Sequence, residues 1–120
     1  MALSVNHVLA VVAVSDVETS RRWYERFFDA EPTNIPMPGL LVEWRVTGNG
    51  WVQVTADPER TGLSQLNLAV DDLEQQVREI EARGIEAGEI LQVNKGVRLC
   101  TFEDPDGNAV TLIGGFREHY

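Results

Sequence analysis

The chain has 120 residues, 43% of them apolar, and its 19 acidic and 10 basic side chains give a formal charge of −9. This length predicts a single domain, residues 1–120, with a core of its own. The charge argues against a nucleic-acid partner, because phosphate contacts need clustered Lys and Arg. No apolar run approaches the ~20 residues of a membrane helix, and the one cysteine is typical of a reducing compartment, which we expect to be the cytoplasm.

The first part of the chain predicts a strand, a helix and three further strands. Alternation in "HVLAVVAV" is typical of a strand, and the helix should span about residues 16–29. Ser15 and Glu18 have the spacing of a capping box, in which each side chain satisfies a free amide of the first turn. The helix should turn Val17, Tyr24, Phe27 and Phe28 inward. Strands are predicted at about residues 30–35, 40–47 and 51–55.

The second part of the chain repeats this order. The hexapeptide "AVSDVE" at 13–18 recurs as "AVDDLE" at 69–74, with four identities in six at an offset of 56. After a linker at about 56–63, the sequence predicts a helix at about 72–83 and strands at about 86–93, 97–103 and 109–113. Asp71 or Asp72 can cap the helix, and Gly84 can end it. The turn "DPDGN" at 104–108 should set the register of the last hairpin.

The sequence therefore predicts an α+β fold of two tandem β-α-β-β-β modules, at about residues 4–56 and 64–114. Three segments resemble the vicinal oxygen chelate superfamily, the glyoxalase, bleomycin-resistance and extradiol-dioxygenase group: "VSDVETSRRWYERFF" at 14–28, "LNLAVDDLEQ" at 66–75 and "FEDPDGNAVTL" at 102–112. The resemblance spans nearly the whole chain. It implies a curled mixed sheet with the helices on its convex face, an open cleft on its concave face, and a homodimer.

Metal-using members of that family hold a divalent ion in the cleft with four side chains, two from each half. The resemblance places those positions at Leu9, Gln53, Gln65 and Thr111. The set contains no imidazole and no carboxylate, which divalent ions require, so we expect no metal and no cofactor. His7 lies two residues before Leu9, and a β-bulge could move it into the ligand position. Even then the site would be too weak for a catalytic ion.

Alternation along the strands extends the predicted cleft, with two alternatives at the first hairpin. A three-residue loop at 48–50 places Glu43 and Arg45 beside Gln53 and turns Trp44 towards the helices; a two-residue loop reverses this. We favour the first, because it gives the helices an apolar floor. Trp51 shares the face of Gln53 either way and could stack on a planar ligand. The predicted ligand-binding residues are His7, Leu9, Arg45, Trp51, Gln53, Gln65, Asn67, Leu99, Thr101 and Thr111.

Three functions compete at this stage. The favoured one is a metal-free protein that binds an aromatic or cationic organic ligand, such as an antibiotic or a metabolite, because polar groups within an apolar cleft are typical of small-molecule sites. The second is a divalent-metal-dependent lyase, isomerase or dioxygenase, as the resemblance implies. The third is a metal-free enzyme in which Glu43 or His7 transfers a proton. Cys100 is predicted to be a buried structural thiol.

Overall fold

The computed structural model describes residues 2–120, so Met1 of the predicted domain lies outside the described residues. The elements are β1 (Val8–Val14), α1 (Val17–Phe28), β2 (Asn34–Met37), β3 (Leu41–Thr47), β4 (Gly50–Ala56), β5 (Gln65–Val70), α2 (Leu73–Ala82), β6 (Ile90–Gln92), β7 (Arg98–Glu103) and β8 (Ala109–Gly114), with one 3-10 turn at Asn94–Gly96. Two strands differ from the prediction. β2 begins later than expected, and β6 keeps only three of its eight predicted residues.

Each module forms its own four-stranded mixed sheet, with strand orders β1-β4-β3-β2 and β5-β8-β7-β6. In both sheets the first strand pairs in parallel with the last strand of its module. The α+β class and the two tandem modules are therefore confirmed. That the sheets curl around an open cleft stays a prediction.

The two helices begin at aspartates. The Asp16 carboxylate accepts a hydrogen bond from the Glu18 amide and caps α1. The predicted capping box is therefore wrong, because the Ser15 hydroxyl is bonded elsewhere. Asp72 caps α2 by accepting from the Gln75 amide, as one of the two predicted alternatives. The helices have 12 and 10 residues, and none in residues 2–120 has the length and apolarity to cross a membrane.

One apolar cluster lies between the helices and the sheets and includes side chains of both modules. In the first module, Tyr24 of α1 packs against Trp44 of β3, with ring centroids 6.1 Å apart. The Phe27 ring meets Phe102 of the second module edge-on at 5.3 Å. The two modules therefore share a core, which neither could form alone at about 55 residues. The buried apolar residues of the strands are Val12, Ala13, Val14, Val42, Trp44, Val52, Val54, Leu66, Cys100, Phe102, Val110 and Leu112.

Candidate functional site

The hairpin between β3 and β4 decides which side chains face away from the helices. Thr47 pairs with Gly50, so the loop has two residues and the predicted three-residue loop is wrong. The register shifts between Arg45 and Thr47, where β3 carries one extra residue as a β-bulge. The extra residue compensates for the shorter loop, so Glu43 and Arg45 still lie beside Gln53 and Trp44 still turns towards the helices. Trp44 is buried and donates from Nε1 to the carbonyl of Ala30 at 3.0 Å.

We call the side of each sheet that points away from the helices its open face. On the open face of the first sheet, Glu43 lies opposite Gln53, and Arg45 lies opposite Trp51. β1 continues this surface on the other side of β4, where Leu9 pairs with Trp51. Leu9 and its neighbour Val11 keep half of their surface exposed, at 50% and 55%. The first open face is thus an apolar and aromatic surface around a few polar groups.

Glu43 is the best-anchored polar group of this face. One carboxylate oxygen accepts from Nε2 of Gln53 at 2.8 Å, and the other accepts from Nδ2 of Asn34 at 3.3 Å. The nearest cation along the strand, Arg45, directs its Nε to the carbonyl of Gly48 at 2.6 Å. Among residues 2–120 Glu43 forms no ion pair. Two amides therefore fix the orientation of a half-buried carboxylate without neutralising its charge.

The open face of the second sheet carries hydroxyls and amides instead. Thr101 lies opposite Thr111, as predicted, and their Oγ1 atoms are 2.8 Å apart. Leu99 lies opposite Ile113, which confirms the predicted register of the last hairpin. Asn67 of β5 pairs with Thr111 of β8 and is exposed. A hydrogen bond between two neighbouring threonines holds the middle of this surface in place, and an exposed carboxylate, Glu103, lies at the end of β7.

The predicted site residues divide between the two open faces. Leu9, Arg45, Trp51 and Gln53 lie on the first sheet, and Gln65, Asn67, Leu99, Thr101 and Thr111 lie on the second. Within the described residues, no side-chain hydrogen bond joins one open face to the other.

His7 lies outside the strands of both faces. It lies before β1, is exposed, and has its Nδ1 3.0 Å from Oδ1 of Asn6. β1 pairs with β4 in one continuous register from Val8 to Val14. The bulge that could have moved His7 into a ligand position is therefore not formed, and that alternative is wrong.

Asn34 belongs to the first open face but was not among the predicted site residues. The strand that carries it was predicted to begin earlier than β2 does, so the pairing of Asn34 with Glu43 was not expected.

Cys100 is buried and donates to the carbonyl of Gly88. Burial, with a smaller effect of the Glu81 charge, raises the pKa of its thiol. The thiol is therefore structural, as predicted.

Comparison with known proteins supports the family resemblance. The model of the Glyoxalase/Bleomycin resistance protein/Dioxygenase superfamily matches residues 4–112. A crystal structure described as a glyoxalase / bleomycin resistance protein from Catenulispora acidiphila is 29% identical with a TM-score of 0.84, covering 92% of this chain and 98% of that one. A search of curated proteins gives no match.

Two more distant structures share the fold. TnmS3, an antibiotic binding protein from a Streptomyces species, is 22% identical with a TM-score of 0.79 over 94% of this chain and 98% of its own. Lactoylglutathione lyase from Agrobacterium tumefaciens is 18% identical with a TM-score of 0.74 over 90% of this chain and 92% of its own. The same scaffold thus carries a binding protein and an enzyme.

Proposed function

This chain belongs to the glyoxalase/bleomycin resistance protein/dioxygenase superfamily, and we propose that within it the protein is a metal-free binder of small organic molecules that are aromatic and cationic, such as an antibiotic or a metabolite. The proposal places the ligand on the open faces, with Glu43 as the counter-ion and Trp51 as the stacking surface. The alternative is a metal-dependent lyase, isomerase or dioxygenase of the same superfamily.

The observation that carries the proposal is the state of Glu43. Its carboxylate is half-buried, held by the amides of Gln53 and Asn34, and paired with no cation in residues 2–120. A fixed charge on an apolar surface attracts a complementary ligand more strongly than a mobile, fully hydrated one. The formal charge of −9 adds a long-range attraction for cations.

The aromatic part of the ligand follows from Trp51. Trp23 and Trp44 are buried in the core, whereas Trp51 is only half-buried and shares the open face with Glu43. An indole face beside a carboxylate suits a planar cation, because stacking and charge then act on the same group. The antibiotic-binding protein among the structural neighbours is consistent with this use of the scaffold.

Donor chemistry argues against a divalent ion. The resemblance assigns the metal positions of the family to an aliphatic side chain, two amides and a hydroxyl, namely Leu9, Gln53, Gln65 and Thr111. Two of these are already engaged, since Gln53 donates to Glu43 and the Thr111 hydroxyl is bonded to Thr101. No group of three or more His, Cys, Asp or Glu side chains in residues 2–120 is arranged to hold an ion. The residues at these positions do not fit a metal.

Proton transfer by Glu43 or His7 stays a competing prediction. Glu43 is within reach of a ligand on the open face, whereas His7 is exposed and stands before the strand. We also propose a homodimer in the cytoplasm, as the family resemblance and the single cysteine imply. Sedimentation or light scattering of the purified protein tests the dimer, which should have twice the mass of 13.4 kDa.

Fluorescence titration tests the proposed ligand class. Cationic aromatic compounds, including antibiotics of the bleomycin type, should quench tryptophan emission, and their neutral analogues should bind at least about tenfold more weakly, because a contact with a charged group contributes about 1.5–3 kcal/mol. Trp51→Phe should remove most of the quenching. High salt should weaken binding of the cations.

Glu43→Gln is the decisive variant, because it removes the charge at nearly constant volume. It should abolish the preference for cations, whereas Glu103→Gln, which removes an exposed charge from the second open face, should leave that preference unchanged. If no cation of the panel binds, or if Glu43→Gln binds cations as tightly as the native protein, the proposal fails. Stoichiometric metal after purification would favour the enzymatic alternative.

A further inference from the structure

The turn Asp104–Asn108 is built as a rigid unit. The Asp104 amide donates to the Asn108 carbonyl at 3.1 Å. One oxygen of the Asp104 carboxylate accepts from the amides of Asp106 and Asn108, each at 2.9 Å. Its other oxygen accepts from Nδ2 of Asn108 at 2.9 Å. Asp104 and Asn108 are buried although they belong to a turn, so their side chains serve more than the hairpin.

The buried side of this turn binds the free edge of β1 in the other module. Nδ2 of Asn108 donates to the carbonyl of Ala13 at 2.8 Å, and the Ala13 amide donates to Oγ of Ser64 at 3.0 Å. Ser64 is itself fixed, because its amide donates to Oδ1 of Asn108 at 2.9 Å. Two side chains thus take the place of a neighbouring strand at the end of β1.

Further bonds reach α1. The Asp106 carboxylate accepts from the amide of Ser15 at 3.0 Å and from its hydroxyl at 2.6 Å. The buried hydroxyl of Tyr24 donates at 2.8 Å to the same Asp104 oxygen that accepts from Nδ2 of Asn108. Burial, together with the nearby Asp104 charge, raises the pKa of Tyr24, so this donor keeps its proton. We call the turn Asp104–Asn108 together with Ser64 the clamp.

The opposite end of the boundary between the modules has no such structure. The corresponding turn between β3 and β4 is Gly48-Asn49, and in residues 2–120 it makes no hydrogen bond to the second module. A groove of about 620 Å³ lies there instead, between Val8 and Gly50 of the first module and Val70 of the second. Side-chain hydrogen bonds therefore join the strand edges at one end, and a groove lies between the modules at the other.

We propose that the clamp is a hinge: it fixes the two modules at one end of their boundary and lets the groove at the other end open and close. The inference is independent of which ligand the open faces bind. Arg83 lines the groove on its helix side, where it donates to the carbonyls of Arg26 and Phe27 and joins the two helices across the boundary. Motion about the hinge is therefore limited to a small change in angle.

Spin-label distances within one chain test the hinge. Cysteines introduced for Asn49 and Asp71 report on the open end, and cysteines introduced for Glu18 and Glu103 report on the clamped end; all four side chains are exposed. Native Cys100 is buried and should stay unlabelled. Labelled protein is diluted with unlabelled protein, so that distances within a single chain are measured. In the otherwise native protein, the distribution of distances at the open end should be wider than that at the clamped end, on the order of twofold.

Asn108→Ala removes the bonds to Ala13 and Ser64 and should broaden the clamped-end distribution to the width of the open end. Asp106→Ala, which removes only the bonds to Ser15, should broaden it less and serves if the first variant does not fold. Val77→Ala, on the buried face of α2, is the control for lost stability and should leave both widths unchanged. Equal widths in the native protein, or clamp variants that behave like Val77→Ala, would overturn the hinge.

Discussion

The two modules have the same strand order but fill their cores with different residues. The buried face of α1 is aromatic, with Trp23, Tyr24 and Phe27, and that of α2 is aliphatic, with Leu73, Val77 and Ile80. Both satisfy the same requirement, because a sheet flanked by a helix needs apolar volume in the right places and tolerates many ways of supplying it. The repeated fold therefore depends on the pattern of apolar residues and not on their identity.

The open faces differ more than the cores do. The first carries a half-buried carboxylate, a guanidinium and an indole, and the second carries two threonines and two exposed amides, with an exposed carboxylate, Glu103, at the end of β7. Since the fold accepts either surface, this difference is where the chemistry of the protein resides. The following changes test the comparison, from the largest expected effect to the smallest.

Phe27→Ala should lower the free energy of unfolding by about 3–5 kcal/mol, the usual cost of removing a buried aromatic ring. Phe27 stacks on Trp23 and meets Phe102 of the other module, so the loss should destabilise both modules together. Urea unfolding followed by circular dichroism and by tryptophan fluorescence should give one coincident transition.

Phe116→Ala is the matched control for that experiment. Phe116 is 61% exposed, and the change should alter stability by less than about 0.5 kcal/mol. Two separate transitions in the Phe27→Ala variant would contradict a shared core and would make the modules independent folding units.

Tyr24→Phe should cost about 1–3 kcal/mol, because it leaves a buried carboxylate with one donor fewer. Asp104 keeps its bonds to the turn amides, so the protein should still fold. Tyr120→Phe, at the exposed end of the chain, should have no measurable effect. If both variants unfold at the same urea concentration as the native protein, the bond between Tyr24 and Asp104 contributes nothing to the joining of the modules.

The same residues show how much could be predicted from the sequence. The helices, six of the eight strands and the face of every strand in the candidate site follow from local signals, namely alternation, caps and an internal repeat. Ser15 could not be assigned in this way, since its hydroxyl is bonded to Asp106, 91 residues away. The loop at Gly48-Asn49 was predicted with the wrong length but the right faces, because Trp44 has to reach the core whatever the loop does.

The limits of the site prediction have a similar cause. Alternation assigned Gln53 and Thr111 to open faces, but period-2 patterns carry no information on how one sheet lies relative to another. Asn34 was missed for a further reason. "NIPM" has little alternation, and its pairing with β3 is set by contacts that only the folded chain provides.

Ser20→Ala should raise stability, by up to about 1 kcal/mol, because alanine favours helices and the change removes a buried hydroxyl. Ser20 lies on the buried face of α1, and its Oγ is the buried side-chain polar atom in residues 2–120 that has no hydrogen-bond partner. The midpoint of thermal unfolding measures the effect. A clear decrease would show that the hydroxyl has a role in α1 that its contacts do not reveal.

The smallest expected effect concerns an ion pair between a strand and a helix of the second module, which has no counterpart among the described residues of the first. Arg98 of β7 donates to both carboxylate oxygens of Glu74 in the first turn of α2. The hydrogen bond from Arg98 lowers the pKa of Glu74 from its ordinary 4.5 to about 2. Since the pKa is lower in the folded chain, the pair stabilises the protein above pH 4.5, and that contribution is lost as the pH falls towards 2.

Arg98→Gln should return the pKa of Glu74 towards 4.5, as measured by NMR of its carboxyl carbon during an acid titration. The native protein should lose more stability than the variant between pH 4.5 and 2, and high salt should reduce the difference because the pair is exposed to solvent. An unchanged pKa in Arg98→Gln would mean that the helix N-terminus, and not Arg98, holds the carboxylate in its charged form. The first turns of α1 and α2 would then be electrostatically alike, and the comparison of the modules would rest on their cores and open faces alone.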